Sequence, residues 1–428
     1  MTWLQRYQVR HYLSNAIWIL PLIGVVAALV LVPVFHQIEK SLGGESPANP
    51  DAARALLGTL ASSMFTFVVF VCSALLVAVQ LASAQLTPRI IAIVFRDPIT
   101  KATLTVFVFT FVFSLATLVR ITDTVPVFTT RTAAYSCVAS LVVFLYLIDH
   151  VGKALRPSGA LRSVASLGRE VIENVYPKRL AEVEEAPPEP AGVLSGEPTL
   201  TVPNVKDGVV LAFDIQGLVS MAERADCVIE LIPQVGDFVA VGDPVFRVFQ
   251  GRATVAADAL RQSVAVGQER TLEQDPALVF RILVDIACKG LSPAINDPTT
   301  AVLAIDQIHH LLRGVGSRHL DDERVRDAAG RVRLVFRTPA WEDFVQLAVT
   351  EIRHFGGESI QVARRLRAML ENLLQTLPDR RAPLLRQELS LLHRSAERFF
   401  VEPEDRALAE VCDLQGVGSK CGIVHGAS

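Results

Sequence analysis

The chain has 428 residues, 51% of them apolar, and a formal net charge of -3; its mean hydropathy is +0.38 and its pI about 6.3. The first 153 residues carry 16 charged side chains and the other 275 carry 69. This division excludes a single soluble globule, a disordered chain and a simple secreted enzyme, and it predicts a membrane module followed by a soluble one.

A helix needs about 20 mostly apolar residues to cross about 30 Å of hydrocarbon. Four segments qualify, over about 15–35, 58–84, 101–120 and 131–151. The second lies inside a stretch, 55–88, that holds no charged residue. The first is too long for a cleavable signal peptide, and no A-x-A-like site follows it. Soluble core helices rarely lack a charged face four times in succession. Lys and Arg set the orientation. Arg6, Arg10, Arg89, Arg96, Lys101, Lys153, Arg156 and Arg162 stand on one side, against Lys40, Arg54, Arg120 and Arg131 on the other. The asymmetry predicts both termini in the cytoplasm. Glu39, Glu45, Asp51, Gly43, Gly44, Pro47 and Pro50 read as an exposed, turn-rich connection.

The second span has an internal order. Thr59, Thr66, Ser73, Gln80 and Thr87 recur every seven residues, almost two helical turns, and form one polar stripe. The third span repeats the device with Thr103, Thr110, Thr117 and Ser114. Two readings stay open: close helix packing by small and hydroxylated residues, or a water-lined path. No Asp, Glu, Lys or Arg sits in the middle of a span, which argues against a proton relay or a charge-coupled transporter. Four spans are few for a path within one chain, so a path implies a homo-oligomer. Thr87 precedes Pro88 and predicts a helix break there. Residues 90–95 read as a short interfacial segment. Asp97-Pro98 supplies a cap and a first-turn proline for the third span.

Residues 154–200 read as an amphipathic helix, with Leu161, Val164, Leu167, Val171 and Val175 at helical spacing, followed by an acidic, proline-rich linker. Residues 201–250 form a small β-rich part. A strand over 208–213, a helix over 215–225 and a strand over 228–232 lead to two Val-Gly-Asp turns. The pattern resembles the half-motif of lipoyl and barrel-sandwich hybrid domains, but 228–249 offers no lysine for a carrier group. Residues 251–428 are mainly helical, with helices over 276–289, 298–312, 340–354, 358–377, 383–399 and 403–411 and short strands over 270–272 and 332–336. The whole chain is therefore mainly α: a four-helix transmembrane module followed by a cytoplasmic α+β domain.

The densest polar cluster is Leu291-Ser292-Pro293-Ala294-Ile295-Asn296-Asp297-Pro298-Thr299-Thr300, in which Asp297 caps the next helix. Ahead of it Arg281, Asp285 and Lys289 (or Cys288) share a helix face. Arg281, Asp285, Asn296 and Asp297 are either an ion-paired helix corner or a ligand or assembly site for an anion at the helix N-terminus. Residues 270–275 and 292–300 are expected to meet at the centre of the soluble domain. Asp306, His309 and His310 read as a solvated face rather than a metal site. Arg364, Arg365 and Arg367, with Asp379-Arg380-Arg381, read as solvated faces or lipid-headgroup contacts and not as a nucleic-acid surface. The six cysteines, Cys72, Cys137, Cys227, Cys288, Cys412 and Cys421, form no CxxC pair and read as free thiols.

Trp18-Ile19-Leu20-Pro21, residues 80–89, residues 270–276 and residues 291–301 together resemble the bacterial membrane proteins that contain domain of unknown function 2254. The resemblance spans nearly the whole chain and implies architecture and a bacterial membrane location. It implies no catalytic residue. The chain has no GxSxG, Walker A, HExxH or dinucleotide loop; no catalytic residue, cofactor or metal is expected, and the ligand is unknown. The functional classes are an oligomeric channel or pore gated by the cytoplasmic domain, a membrane-anchored sensor or scaffold, and an enzyme of unidentified type.

Overall fold

The structure is a computed structural model of the whole chain. It describes residues 1–41, 45–46, 49–90, 97–154, 156–182, 194, 196–251, 254–320 and 324–418. The expected interfacial segment from residue 91 on, most of the proline-rich linker and Cys421 lie outside these residues. The chain forms two compact units: Arg10–Gly159, and Met1–Val9 with Ala160–Ser428.

A helix α1 (Trp3–Asn15) precedes four helices long and apolar enough to cross a membrane. They are α2 (Ile19–Ser41), α3 (Pro50–Gln85), α4 (Pro98–Leu118) and α5 (Val127–Ala154). A two-stranded pair, β1 (Glu45–Ser46) and β2 (Val125–Pro126), links the loops after α2 and α4. The fourth span, short by composition, is a helix of 28 residues. Asn49 caps α3, accepting from the Asp51 and Ala52 amides, and Pro50 occupies the first turn. The helix ends at Gln85, and Pro88–Ile90 forms a single 3-10 turn, as the Thr87-Pro88 step predicts. Asp97 Oδ2 accepts from the Thr100 amide at 2.8 Å and starts α4.

In this module α4 is the central helix and packs against α2, α3 and α5. One core layer joins Ala28, Val32, Leu57, Phe113 and Ala133; a second joins Val71, Leu75, Leu104, Phe107 and Leu147. At Gly24 a Cβ would stand 3.0 Å from the Thr105 carbonyl, so α2 and α4 approach closely. Glu39 departs from the expected exposed loop. It is 3% exposed, and its carboxylate accepts from the Phe128 amide and the Thr129 amide and hydroxyl. The end of α2 thereby satisfies the otherwise unpaired first-turn donors of α5.

The second unit continues with α6 (Pro157–Val175), whose buried face holds Leu161, Val164, Gly168, Val171 and Ile172. Strands β3 (Leu200–Pro203), β4 (Gly208–Phe213), β5 (Val228–Leu231), β6 (Phe238–Val239), β7 (Pro244–Phe249), β8 (Val264–Gly267), β9 (Arg324–Arg326) and β10 (Val332–Val335) form two sheets, in the orders β3-β7-β5-β10-β9 and β6-β4-β8. Among the described residues only the β5–β10 pair is parallel. Helix α7 (Ile215–Ala225) packs on β5 and β10. The two Val-Gly-Asp repeats build the same turn twice. The Gln234 amide donates to Asp237 and the Ala240 amide to Asp243, while Gly236 and Gly242 take φ of 95° and 93°, backbone that only glycine adopts without strain.

Helices α8 (Ala257–Arg261), α9 (Pro276–Gly290), α10 (Pro298–Gly316), α11 (Trp341–Phe355), α12 (Ile360–Thr376), α13 (Ala382–Phe399) and α14 (Pro403–Ala409) complete the unit. The expected strand over 270–272 is absent. The strand of this region is β8, six residues earlier, and Arg270 instead forks onto the buried carboxylate of Asp275 at 2.7 and 2.9 Å. Nor do 270–275 and 292–300 meet. They bracket α9, whose 15 residues hold its ends about 21 Å apart.

Candidate functional site

The stripe on α3 and the stripe on α4 have opposite fates. Thr103, Thr110, Ser114 and Thr117 of α4 are buried inside the module. Thr110 meets Ser140 of α5, Ser114 donates to the Thr110 carbonyl, and Thr117 donates to the Phe113 carbonyl. The hydroxyls of Thr110, Ser114 and Thr117 are thus satisfied within one chain, the packing role that small hydroxylated residues serve in lipid. On α3, by contrast, Thr59, Thr66, Ser73 and Gln80 are all exposed, while Thr87, past the helix end, is buried. Thr59 donates to the Ala55 carbonyl at 2.9 Å and Thr66 to the Ser62 carbonyl at 3.0 Å, so both hydroxyls satisfy themselves. Among the described residues the Gln80 amide has no hydrogen-bond partner. A long amide on an outward face within an apolar helix is costly unless water or another helix meets it.

At the Pro50 end of the same face a shallow groove is lined by Arg54, Gly58, Thr59, Ser62, Ser63 and Thr66. No atom lies within 4 Å of where a Cβ on Gly58 would stand, so another helix has room to approach there. Arg54 bonds Asp51 and the carbonyls of Ile121 and Thr122, which ties this end of α3 to the loop after α4.

In the second unit Arg281 and Asp285 do come together. The Arg281 Nε donates to Asp285 at 2.7 Å, and a second carboxylate, Glu351 of α11, takes both terminal nitrogens, one at 2.7 Å. Bonding to Arg281 lowers the Glu351 pKa. Cys288, one turn past Asp285, has its thiol pushed up to about 12 by burial and, less, by the Glu351 carboxylate, so it is no nucleophile near neutral pH. Asn296 and Asp297 sit at the other end. Arg281 lies about 13 Å along the axis from the last residue of α9. Asn296 takes left-handed backbone, φ 47°. Asp297 accepts from the Thr300 amide and hydroxyl at 3.1 and 2.6 Å. The four residues thus form two structural ties, a helix-to-helix ion pair and a capped corner.

Of the arginine runs only Arg380 is solvated; Arg364, Arg365, Arg367 and Arg381 are largely covered. Arg364 is 1% exposed and donates to the carbonyls of Val411 and Gly418; Arg365 pairs with Asp306 at 2.6 Å and donates to the Asp413 carbonyl. The buried Asp413 carboxylate accepts from the amides of Gln415, Gly416 and Gly418. Together they clasp the segment after α14 onto α12. Arg381 is buried too, stacked on Trp341 at 5.3 Å. His309 turns inward to Asn372 at 2.9 Å rather than to solvent, and burial lowers its pKa. Among the described residues no three His, Cys, Asp or Glu side chains gather as a metal site, and the five described cysteines are unpaired. Glu39 and the Arg364 clasp escaped the sequence reading, because each partner lies at least 40 residues away in the chain.

The same loop that holds Arg270 gathers three further elements. Gln274 bonds the Phe213 backbone at the end of β4. At Gly236 a Cβ would strike the Arg270 guanidinium. The Tyr7 hydroxyl of α1 stands 3.4 Å from that of Thr271.

Comparison with known proteins agrees with this architecture. Proteins of Mycobacterium bovis and Mycobacterium tuberculosis, both named as uncharacterised, are each 26% identical, covering 94% of this chain and 80% of their own length. No solved structure matches. A family model described as predicted membrane protein, DUF2254, matches residues 14–372. With four apolar helices followed by a unit of small sheets and helices, the chain belongs to the DUF2254 family of membrane proteins.

Proposed function

We propose that the protein is a homo-oligomeric channel or pore of the bacterial inner membrane, in which α3 of each copy turns Thr59, Thr66, Ser73 and Gln80 toward a shared polar path. The observation that carries this reading is the outward, unpartnered amide of Gln80 on a helix whose other exposed residues are largely apolar. Copies arranged around an axis would bring these stripes together and let water satisfy them. The α4 stripe gives no such support, because it is buried inside the module and the hydroxyls of Thr110, Ser114 and Thr117 are satisfied there. The eight-to-four excess of Lys and Arg supports cytoplasmic termini, and the unit that follows the spans is read as the gate. The reading involves no cofactor, metal or nucleic acid.

Disulfide cross-linking tests the assembly. In membranes, the Ser73→Cys variant in a Cys72→Ser background should form dimers on mild oxidation, and Val142→Cys, exposed on α5 and away from the α3 stripe, should not in the same background. Monomers only from Ser73→Cys would favour a membrane-anchored sensor or scaffold. For the orientation, a cysteine at Ser41 should react with an impermeant thiol reagent in intact cells, and one at Arg156 should not.

A further inference from the structure

We infer that the open groove between α6 and α10 binds the phosphate of an anionic lipid headgroup. Its lining includes Arg162, Ser163, Ser166 and Arg169 of α6 and Gln307 and His310 of α10, in a volume of about 570 Å³. The geometry follows from the sequence of α6. Leu161, Val164, Ala165, Gly168, Val171 and Ile172 are buried, which turns Arg162, Ser166 and Arg169, spaced by four and three residues, to the opposite face. The floor is held by a close approach. A Cβ on Gly168 would stand 2.5 Å from Val279 and 3.3 Å from Leu311, so α6 lies tight against α9 and α10.

The chemistry suits a phosphate ester. Two guanidiniums, separated by about 10 Å of helix rise, flank two serine hydroxyls. Arginine meets phosphate oxygens through paired, charge-assisted hydrogen bonds, with hydroxyls completing the shell. The lining has one carboxylate, Asp306, and its charge is already met by Arg365 at 2.6 Å. With Arg162 and Arg169 on one wall and Gln307 and His310 on the other, donors line both walls. A lipid is favoured over a soluble phosphate for two reasons. The groove is open rather than enclosed. Arg162 and Arg169 follow the end of the fourth candidate span, Ala154, by only eight and fifteen residues in the chain, and basic residues so placed meet the anionic headgroup layer. This inference does not depend on a conducting path.

Native mass spectrometry of the full chain in detergent, with phosphatidylglycerol or phosphatidylcholine added, tests it. Wild type should retain phosphatidylglycerol in preference to phosphatidylcholine. Each arginine replaced in Arg162→Gln and Arg169→Gln should cost about fivefold in retention, while Arg380→Gln, at an exposed arginine elsewhere in the soluble unit, should cost nothing. Ser166→Glu keeps both arginines, adds a carboxylate to the groove and should also lose the lipid, so the outcome does not rest on a variant that fails to fold. Retention unchanged in both Arg162→Gln/Arg169→Gln and Ser166→Glu overturns the site. Binding of inorganic phosphate with no preference for phosphatidylglycerol overturns its assignment to lipid.

Discussion

Thr110 of α4 and Ser140 of α5 face each other inside the helical module, their hydroxyl oxygens 3.1 Å apart and both side chains buried. Among the described residues nothing comparable receives Gln80 of α3, which is exposed. The same sequence device, a polar residue every seventh position, is used inward on one helix and outward on the next. This contrast separates a stripe packed inside the module from one exposed on its surface. It is why the channel reading rests on α3 alone.

Glu39 gives the first prediction. Its carboxylate takes two amides and a hydroxyl at the start of α5. Glu39→Ala leaves buried donors unmatched and should cost about 1–3 kcal/mol, seen as a lower melting temperature of the full chain in detergent. Glu39→Gln keeps a carbonyl acceptor and should lose less. Equal melting of Glu39→Ala and wild type would contradict the cap.

Arg281 and Glu351 predict a pH dependence. The bond from Arg281 holds the Glu351 carboxyl below its ordinary value. A lowered folded-state pKa stabilises the fold at pH above the ordinary glutamate value, and the contribution fades as pH falls through the folded value. Glu351→Gln should therefore melt below wild type at pH 7, and the gap should narrow as the pH drops below about 4.5. A gap that stays constant down to pH 3 would show that the ion pair is not its source.

How far the sequence could be read differs by element. The four spans, the Thr87-Pro88 break, the caps at Asp97 and Asp297 and the helices from α9 to α14 were legible, because periodicity, proline and capping residues act within a turn or two. The seven-residue stripe was legible as a stripe, but its direction depends on which side of α3 receives α4. The strand β8 escaped because Val264-Ala265-Val266 is too short to show alternation, and it forms only by pairing with β4. Arg364 to Arg367 read as solvated because the carbonyls that bury Arg364 come from residues 411 and 418, far along the chain.

That clasp supplies a third prediction. Arg364→Met removes two charge-assisted bonds, each worth about 1.5–3 kcal/mol, and should free the segment after α14 without unfolding α12. Amide exchange at Gly416 and Gly418 should rise tenfold or more, while the amides of α9 stay protected. Uniform loss of protection across the unit would mean that the segment is part of the core rather than clasped onto it.

The central claim is that Gln80 faces a water-filled path made by several copies of α3. Ion flux through liposomes carrying wild type, Gln80→Leu and Gln80→Ser tests it most directly. An apolar side chain at this position should dewet and close the path, whereas a hydroxyl should keep it wet. The account predicts flux from wild type and Gln80→Ser and only background leakage from Gln80→Leu, with the three proteins inserted in equal amounts. Equal flux from all three, or none above empty liposomes from any, would contradict it.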